Sequence, residues 1–119
     1  MDKNILIAHG INYDKGLNRF MDDKELYDST LLLFIDDKTM KQADKALKNE
    51  DYSALFEALN AFKGLTGNLD ITDCYILSGD LVELLRPQKE INKVLLNSRY
   101  QELKDAYNKA IEGIKLADK

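Results

Sequence analysis

The chain has 119 residues and a mass of 13.6 kDa, a length that suits one domain with a single hydrophobic core. Apolar residues make up 45% and charged residues 32%, with six Gly and one Pro, which excludes a disordered, collagen-like or low-complexity chain. Seventeen Lys and Arg against 21 Asp and Glu give a net charge of −4, which argues against a nucleic-acid partner bound by phosphate neutralisation. These values predict an acidic globular domain over residues 1–119.

Cysteine use and the length of the apolar runs indicate the compartment. Cys74 is the only cysteine, so no disulfide can form within the chain, and a single thiol fits a reducing environment. The longest apolar run, Leu31 to Ile35, has five residues, far fewer than the roughly 20 that span a bilayer. The apolar stretch at the N-terminus is too short for a signal peptide. We therefore expect a cytoplasmic protein without a membrane partner.

Apolar spacing is helical in nearly the whole chain, with no sustained alternation and no Asn-Gly or Asp-Gly hairpin turn. Before residue 36 the pattern predicts a short helix ending near Gly10, a second over about 14–21, and a third beginning near Asp22 or Asp23. The third carries a stripe at three-to-four spacing made of Leu26, Tyr27, Thr30, Leu31, Leu33 and Phe34.

The second part of the chain predicts longer helices. A break at 36–39, with Asp and Thr available as helix caps, precedes a helix with a narrow apolar stripe. That stripe consists of Met40, Ala43 and Leu47. The next helix is predicted over about 51–69.

A turn at 70–73, with Thr72 or Asp73 as the cap, leads to a helix that ends before Pro87. Apolar residues over 91–114 keep one helical phase, which predicts a last helix of roughly 25 residues. Four substantial helices with short N-terminal pieces and short connections predict an all-α fold, an antiparallel four-helix bundle.

The helix over 51–69 has two distinct faces on a wheel of about 100° per residue. Its core face consists of Leu55, Ala58, Leu59, Phe62, Leu65, Thr66 and Leu69. The opposite face collects Phe56, Asn60, Lys63, Gly64 and Gly67. An interior Gly costs a helix roughly 0.8–1 kcal/mol relative to Ala, and it supplies bare backbone that another surface can approach closely. We interpret this face as a docking patch, with Phe56 as an exposed aromatic anchor and Lys63 as its positive charge.

The same spacing allows purely structural explanations. Gly64 and Gly67 could mark an early end of the helix, with Gly67-Asn68 as a left-handed cap. Phe56 could be covered by a neighbouring loop. Periodicity does not decide between these alternatives and a docking patch.

The stretch from Ala58 to Leu69, ALNAFKGLTGNL, resembles the signature helix of histidine-containing phosphotransfer (HPt) domains. The family pattern is His-x-x-Lys-Gly, followed by small residues and a Leu-Gly near the helix end, and Lys63-Gly64 matches its Lys-Gly. The resemblance extends to upstream residues of stand-alone bacterial HPt proteins, namely Gly16-Leu17-x-Arg19-Phe20 and Leu26-Tyr27. It covers nearly the whole chain and implies an all-helical bundle.

The chain departs from the family at the decisive position, because Asn60 stands where HPt domains carry the phosphorylated His. A neutral imidazole offers an available nitrogen lone pair near pH 7. The lone pair of the Asn amide nitrogen is delocalised, so Asn60 keeps the hydrogen-bonding capacity of the ring without its nucleophilicity. A second departure is Asp70, where the family commonly has Gly; it adds negative charge near the patch and bears on the geometry of the turn.

At the matching positions, the resemblance implies that Lys63 neutralises a phosphoryl group and that Gly64 leaves room for the receiver domain of a response regulator. Without a nucleophile, the implied activity is docking without transfer, by a monomer that binds receivers or the hybrid kinases carrying them. Two alternatives stay open: a structural or assembly bundle that kept the fold without receiver binding, and a phosphotransfer protein that uses another residue.

No other pattern predicts a catalytic, cofactor or metal site. His9, the only histidine, precedes Gly10, which is typical of a helix C-terminus capped by Gly. Cys74 lies on an apolar stripe, as expected for a buried, inert thiol. Three Asp pairs lie where helices begin and are expected to cap them: Asp22-Asp23, Asp36-Asp37 and Asp70/Asp73. Because no Gly-rich phosphate loop, catalytic triad or metal-ligand spacing occurs, we expect no enzymatic activity.

Overall fold

The computed structural model describes residues 1–87 and 90–119, which form seven α-helices and no strand. The helices are α1 (Lys3–Ala8), α2 (Tyr13–Arg19), α3 (Lys24–Phe34), α4 (Thr39–Lys48), α5 (Tyr52–Asn68), α6 (Thr72–Leu84) and α7 (Lys93–Ala117). The predicted all-α class is confirmed, and α7 has the predicted length of 25 residues. Within the described ranges, no helix is both long and apolar enough to cross a membrane.

Caps and left-handed residues set the helix ends. The Asp23 carboxylate accepts a hydrogen bond from the Leu26 amide, and Asp51 does the same for Ala54, so α3 and α5 begin as predicted. The second helix ends at Arg19, earlier than predicted, because Met21 and Asp22 adopt left-handed φ values of 56° and 61°.

Two predicted caps are wrong. At α4 the cap residue is Lys38, and the Asp37 carboxylate instead accepts from the Thr39 amide two residues away. At α6 the cap residue is Ile71, without a side-chain hydrogen bond to the helix. Thr72 instead donates its hydroxyl to the Asp70 carbonyl at 3.3 Å.

Three aromatic rings join α3, α5 and α7 at the centre of the core. The centroids of Phe34, Phe62 and Tyr107 lie 5.8 to 5.9 Å apart, within the range of favourable aromatic pairs. The predicted core face of α5 is confirmed, with Leu65 partly buried and its other members buried. The predicted α3 stripe is only half correct, because Leu26 and Leu33 are exposed while Tyr27, Leu31 and Phe34 are buried.

The longer helices pack in chain order. Helix α5 lies against both α4 and α6, α6 lies against α7, and α7 also contacts α1 and α3. Helices α4 and α7 are joined by Asp44, which accepts hydrogen bonds from the Tyr100 hydroxyl at 2.6 Å and from Lys104 Nζ at 2.8 Å. The molecule is elongated, with extents of 43 × 24 × 20 Å.

The turn between α5 and α6 is where the N-terminal helices attach. The Tyr27 hydroxyl donates to the Leu69 carbonyl at 2.7 Å, and the Asn12 amide donates to the Asp70 carbonyl at 2.9 Å. The Ile71 amide donates to the Thr66 carbonyl, and the Asp70 amide donates to the Gly67 carbonyl. This pair of hydrogen bonds is a Schellman motif at the end of α5. These bonds fix the C-terminal end of α5 relative to α2 and α3.

Candidate functional site

The solvent face of α5 is continuous helix. The helix extends through Gly64 and Gly67 to Asn68, so the alternative in which these glycines end it early is wrong. Asn60 and Gly64 are exposed on this face, and Lys63 is half-buried. The Asn60-Lys63-Gly64 segment is therefore presented to solvent on a regular helix that is anchored underneath by the core.

Gly64 has open space where a side chain would lie. A Cβ added at this position meets no atom within 4 Å, other than those of the helix's own backbone and the chain neighbours. Its φ lies outside the left-handed region, so neither backbone conformation nor internal packing requires glycine here. The bare backbone that the sequence pattern predicted is present at Gly64.

Gly67 has a different role from the predicted one. A Cβ at this position would lie 2.9 Å from both Cδ1 and Cε1 of Tyr75, so the tyrosine ring of α6 occupies the space next to the helix backbone. Gly67 is thus explained by packing within the chain. Of the two glycines predicted to admit a partner, only Gly64 is open.

Lys63 extends from α5 across the surface of α6. Its Nζ lies 5.8 Å from the centroid of the Tyr75 ring, a cation–π arrangement. A Cβ added at Gly79 would be in ordinary contact with Lys63 Cε, at 3.7 Å, so the aliphatic stem passes over that glycine. Tyr75, whose role the sequence does not indicate, is 42% exposed and supports this lysine.

Phe56 is not the exposed anchor that the helical wheel predicts. Its side chain is partly buried and packs against the core. It lines a small apolar groove of about 210 Å³ between the start of α5 and the α6–α7 connection, with Tyr52, Leu85, Pro87 and Ile91. Phe56 is therefore partly covered rather than a free anchor, and it lies in a different depression from Lys63 and Gly64.

A second depression of about 320 Å³, here called the basic cleft, lies between α2, α5 and the start of α6. Its lining combines residues from all three elements: Lys15, Arg19, Lys63, Gly64, Thr66, Gly67, Asn68, Asp70, Thr72 and Tyr75. Sequence patterns do not bring α2 to this face. The structure thus extends the predicted patch to include Lys15 and Arg19.

Asp70 holds one wall of the basic cleft. It is 5% exposed and accepts hydrogen bonds from Arg19 Nε at 2.9 Å and Nη2 at 3.4 Å. Capping does not explain this carboxylate, so that prediction is wrong for Asp70. Its φ of 54° is the left-handed conformation that Gly adopts most easily.

The remaining nucleophile candidates are used structurally. His9 is the C-cap of α1, its Nδ1 lies 2.7 Å from the Ile5 carbonyl, and its ring lies against Gly113 of α7. Gly10 follows with a φ of 87°, as predicted for the cap. Cys74 is fully buried, and this burial raises the pKa of its thiol to about 12, which keeps it protonated and unreactive.

Within residues 1–87 and 90–119, no group of three or more His, Cys, Asp or Glu side chains is arranged to hold a metal ion. Comparison of the chain with models of known families, with curated proteins and with solved structures finds no significant match.

Proposed function

We propose that this protein is an HPt-like signalling domain, an antiparallel four-helix bundle with short N-terminal helices, that binds receiver domains without accepting phosphate. Its partner is the receiver of a response regulator or of a hybrid histidine kinase, in the cytoplasm of a bacterium. The protein acts there as a competitor or adaptor in a phosphorelay.

The observation that carries the proposal is the open backbone at Gly64, beside Asn60 and Lys63 on the exposed face of α5. A helix-interior glycine that neither packing nor φ requires reduces stability by about 1 kcal/mol. A partner that approaches this stretch of helix closely explains why glycine is present. Lys63 supplies a positive charge next to the opening, which suits the acidic pocket that the resemblance implies for a receiver.

Asn60 is the reason that we propose receiver docking without phosphoryl transfer. Its amide nitrogen cannot attack a phosphoryl group, but the side chain donates and accepts hydrogen bonds as a neutral His does. The shape and polarity of the docking surface are retained in this proposal, while group transfer is lost.

A second candidate is a structural or assembly bundle that kept the fold and lost the receiver. Two observations favour it: Phe56 is partly buried, and the space beside Gly67 is filled by Tyr75. Both remove residues from the predicted docking patch. The third possibility, phosphotransfer through another residue, is disfavoured because His9 and Cys74 are engaged in the fold.

The deciding experiment is an amide-shift NMR titration of the labelled protein with receiver domains from the same organism. We expect saturable shifts centred on Asn60, Lys63 and Gly64. Lys63→Glu should weaken the interaction, whereas Lys109→Glu makes the same charge change on the exposed surface of α7 and should leave it unchanged. No shifts across the whole receiver set would refute receiver binding and leave the structural candidate.

A further inference from the structure

The basic cleft carries surplus positive charge in an acidic protein. Three cations line it, namely Lys15, Arg19 and Lys63, against one carboxylate, Asp70. Asp70 is paired with Arg19, so two positive charges remain. Neither Lys15 nor Lys63 is within ion-pair distance of a carboxylate in the described parts of the chain.

The same cleft has an aromatic wall. Tyr75 lines it and is 42% exposed, and one edge of its ring rests against the backbone at Gly67. A volume of about 320 Å³ lies at the lower end of the range for small-molecule sites. It exceeds what a bare inorganic anion needs, so the cleft has room for an organic group beside the anion.

We propose that the basic cleft binds a small aromatic phosphate monoester. A monoester carries about −1.5 to −2 charges at pH 7, which matches the two unpaired lysines. Lys15 and Lys63 bind the phosphate as point charges, Lys63 from its position over the Tyr75 ring, and the organic ring packs on the exposed part of Tyr75 that Lys63 leaves open. Arg19 is neutralised by Asp70, and the pair forms part of the wall of the cleft.

This inference stands apart from receiver binding, although the two surfaces share Lys63 and Gly64. It concerns the isolated protein and a small ligand, whereas the proposed function concerns a protein partner. Failure of either titration therefore leaves the other unaffected. If both interactions occur, the small ligand competes with the protein partner because it neutralises Lys63.

The test is an amide-shift titration of the labelled protein with phenyl phosphate, inorganic phosphate and phenol in parallel. We expect phenyl phosphate to produce saturable shifts at Gly64, Gly67, Thr72 and Tyr75, with inorganic phosphate binding more weakly at the same amides. Absence of saturable shifts up to about 10 mM phenyl phosphate overturns the proposal. Phenol binding as tightly as phenyl phosphate overturns the phosphate assignment.

Variants test the phosphate contacts and the aromatic contact of the ligand separately. Lys15→Gln and Lys63→Gln should each weaken phenyl phosphate about threefold, the usual size of one exposed charge contact, while Lys109→Gln on α7 should not. Tyr75→Leu should abolish the preference for phenyl phosphate over inorganic phosphate, with retained amide dispersion showing that the fold is intact. An unchanged affinity in both lysine variants contradicts the phosphate site, and an unchanged preference in Tyr75→Leu contradicts the aromatic subsite.

Discussion

Gly64→Ala should stabilise the protein, because neither the packing nor the backbone conformation at this position requires glycine. The residue is in the interior of α5, its φ is not left-handed, and an added Cβ meets no atom within 4 Å. Replacing such a glycine with Ala contributes about 0.8–1 kcal/mol. The entropy of unfolding for a chain of this length is about 0.25 kcal/mol/K, so we expect Tm to rise by about 4 °C.

The same substitution should weaken receiver binding, so stability and docking change in opposite directions. Gly64→Gln is the sharper variant, because Gln retains most of the helix propensity of Ala and places a longer side chain over the docking face. Thermal unfolding followed by circular dichroism gives the stability, and the receiver titration gives the affinity.

Two glycines provide the controls for the stability argument. Gly67→Ala should bring no comparable gain, because its Cβ would displace the Tyr75 ring. Gly16→Ala should destabilise by about 1–3 kcal/mol, because the new Cβ would overlap the buried Tyr27 hydroxyl. A Tm for Gly64→Ala at or below that of the wild type would refute the assignment of open space, and unchanged receiver affinity in Gly64→Gln would refute its use for docking.

Three further predictions concern pH, thiol chemistry and phosphate acceptance. Partial burial raises the pKa of Asp28, but hydrogen bonds from Lys24 and Tyr13 outweigh it and leave the pKa below its ordinary value. The ionised carboxylate therefore stabilises the fold above about pH 4, and this stabilisation is lost as the pH falls further. In urea titrations, the free energy of unfolding of Asp28→Asn should be lower than that of the wild type at neutral pH, and the two values should converge in acid. Cys74 should not react with an aromatic disulfide reagent in the native protein and should react fully in urea; rapid native labelling would contradict its burial. Asn60→His should gain an acid-labile phosphate from a phosphorylated receiver, detected by intact mass, and a folded variant that stays unmodified would count against the receiver hypothesis.

Most of the fold could be predicted because each helix carries its own local signals. Helix α5 begins at the Asp51 cap and has a core face at three-to-four spacing, and both are visible in the sequence. The sequence does not predict which individual apolar residues are exposed. Leu26 and Leu33 fit the α3 stripe, yet they are exposed because α3 is buried only along the line of Tyr27, Leu31 and Phe34. How wide a stripe the neighbouring helices cover depends on tertiary packing, which spacing does not encode.

The candidate site likewise has a part that the sequence predicts and a part that depends on tertiary packing. Asn60, Lys63 and Gly64 share one helix face, so their proximity follows from helical geometry alone. Lys15 and Tyr75 reach the same surface from α2 and α6, and no periodicity relates positions so far apart in the chain. The separate surroundings of Gly64 and Gly67 likewise depend on one side chain of α6, so the helical wheel could not distinguish them.

Asp70 links two of the elements that line the basic cleft. At the end of α5 the chain must adopt a left-handed residue before α6 begins, and Gly would satisfy that backbone requirement alone. An Asp there also buries a carboxylate, which is unfavourable unless it is paired. Arg19 supplies the partner, and the resulting ion pair joins the last residue of α2 to the α5–α6 turn, where the Asn12 amide also donates to the Asp70 carbonyl. The Arg19–Asp70 ion pair and the Asn12–Asp70 backbone hydrogen bond both hold α2 at this turn, and Lys15 of α2 thereby lines the same cleft as Lys63.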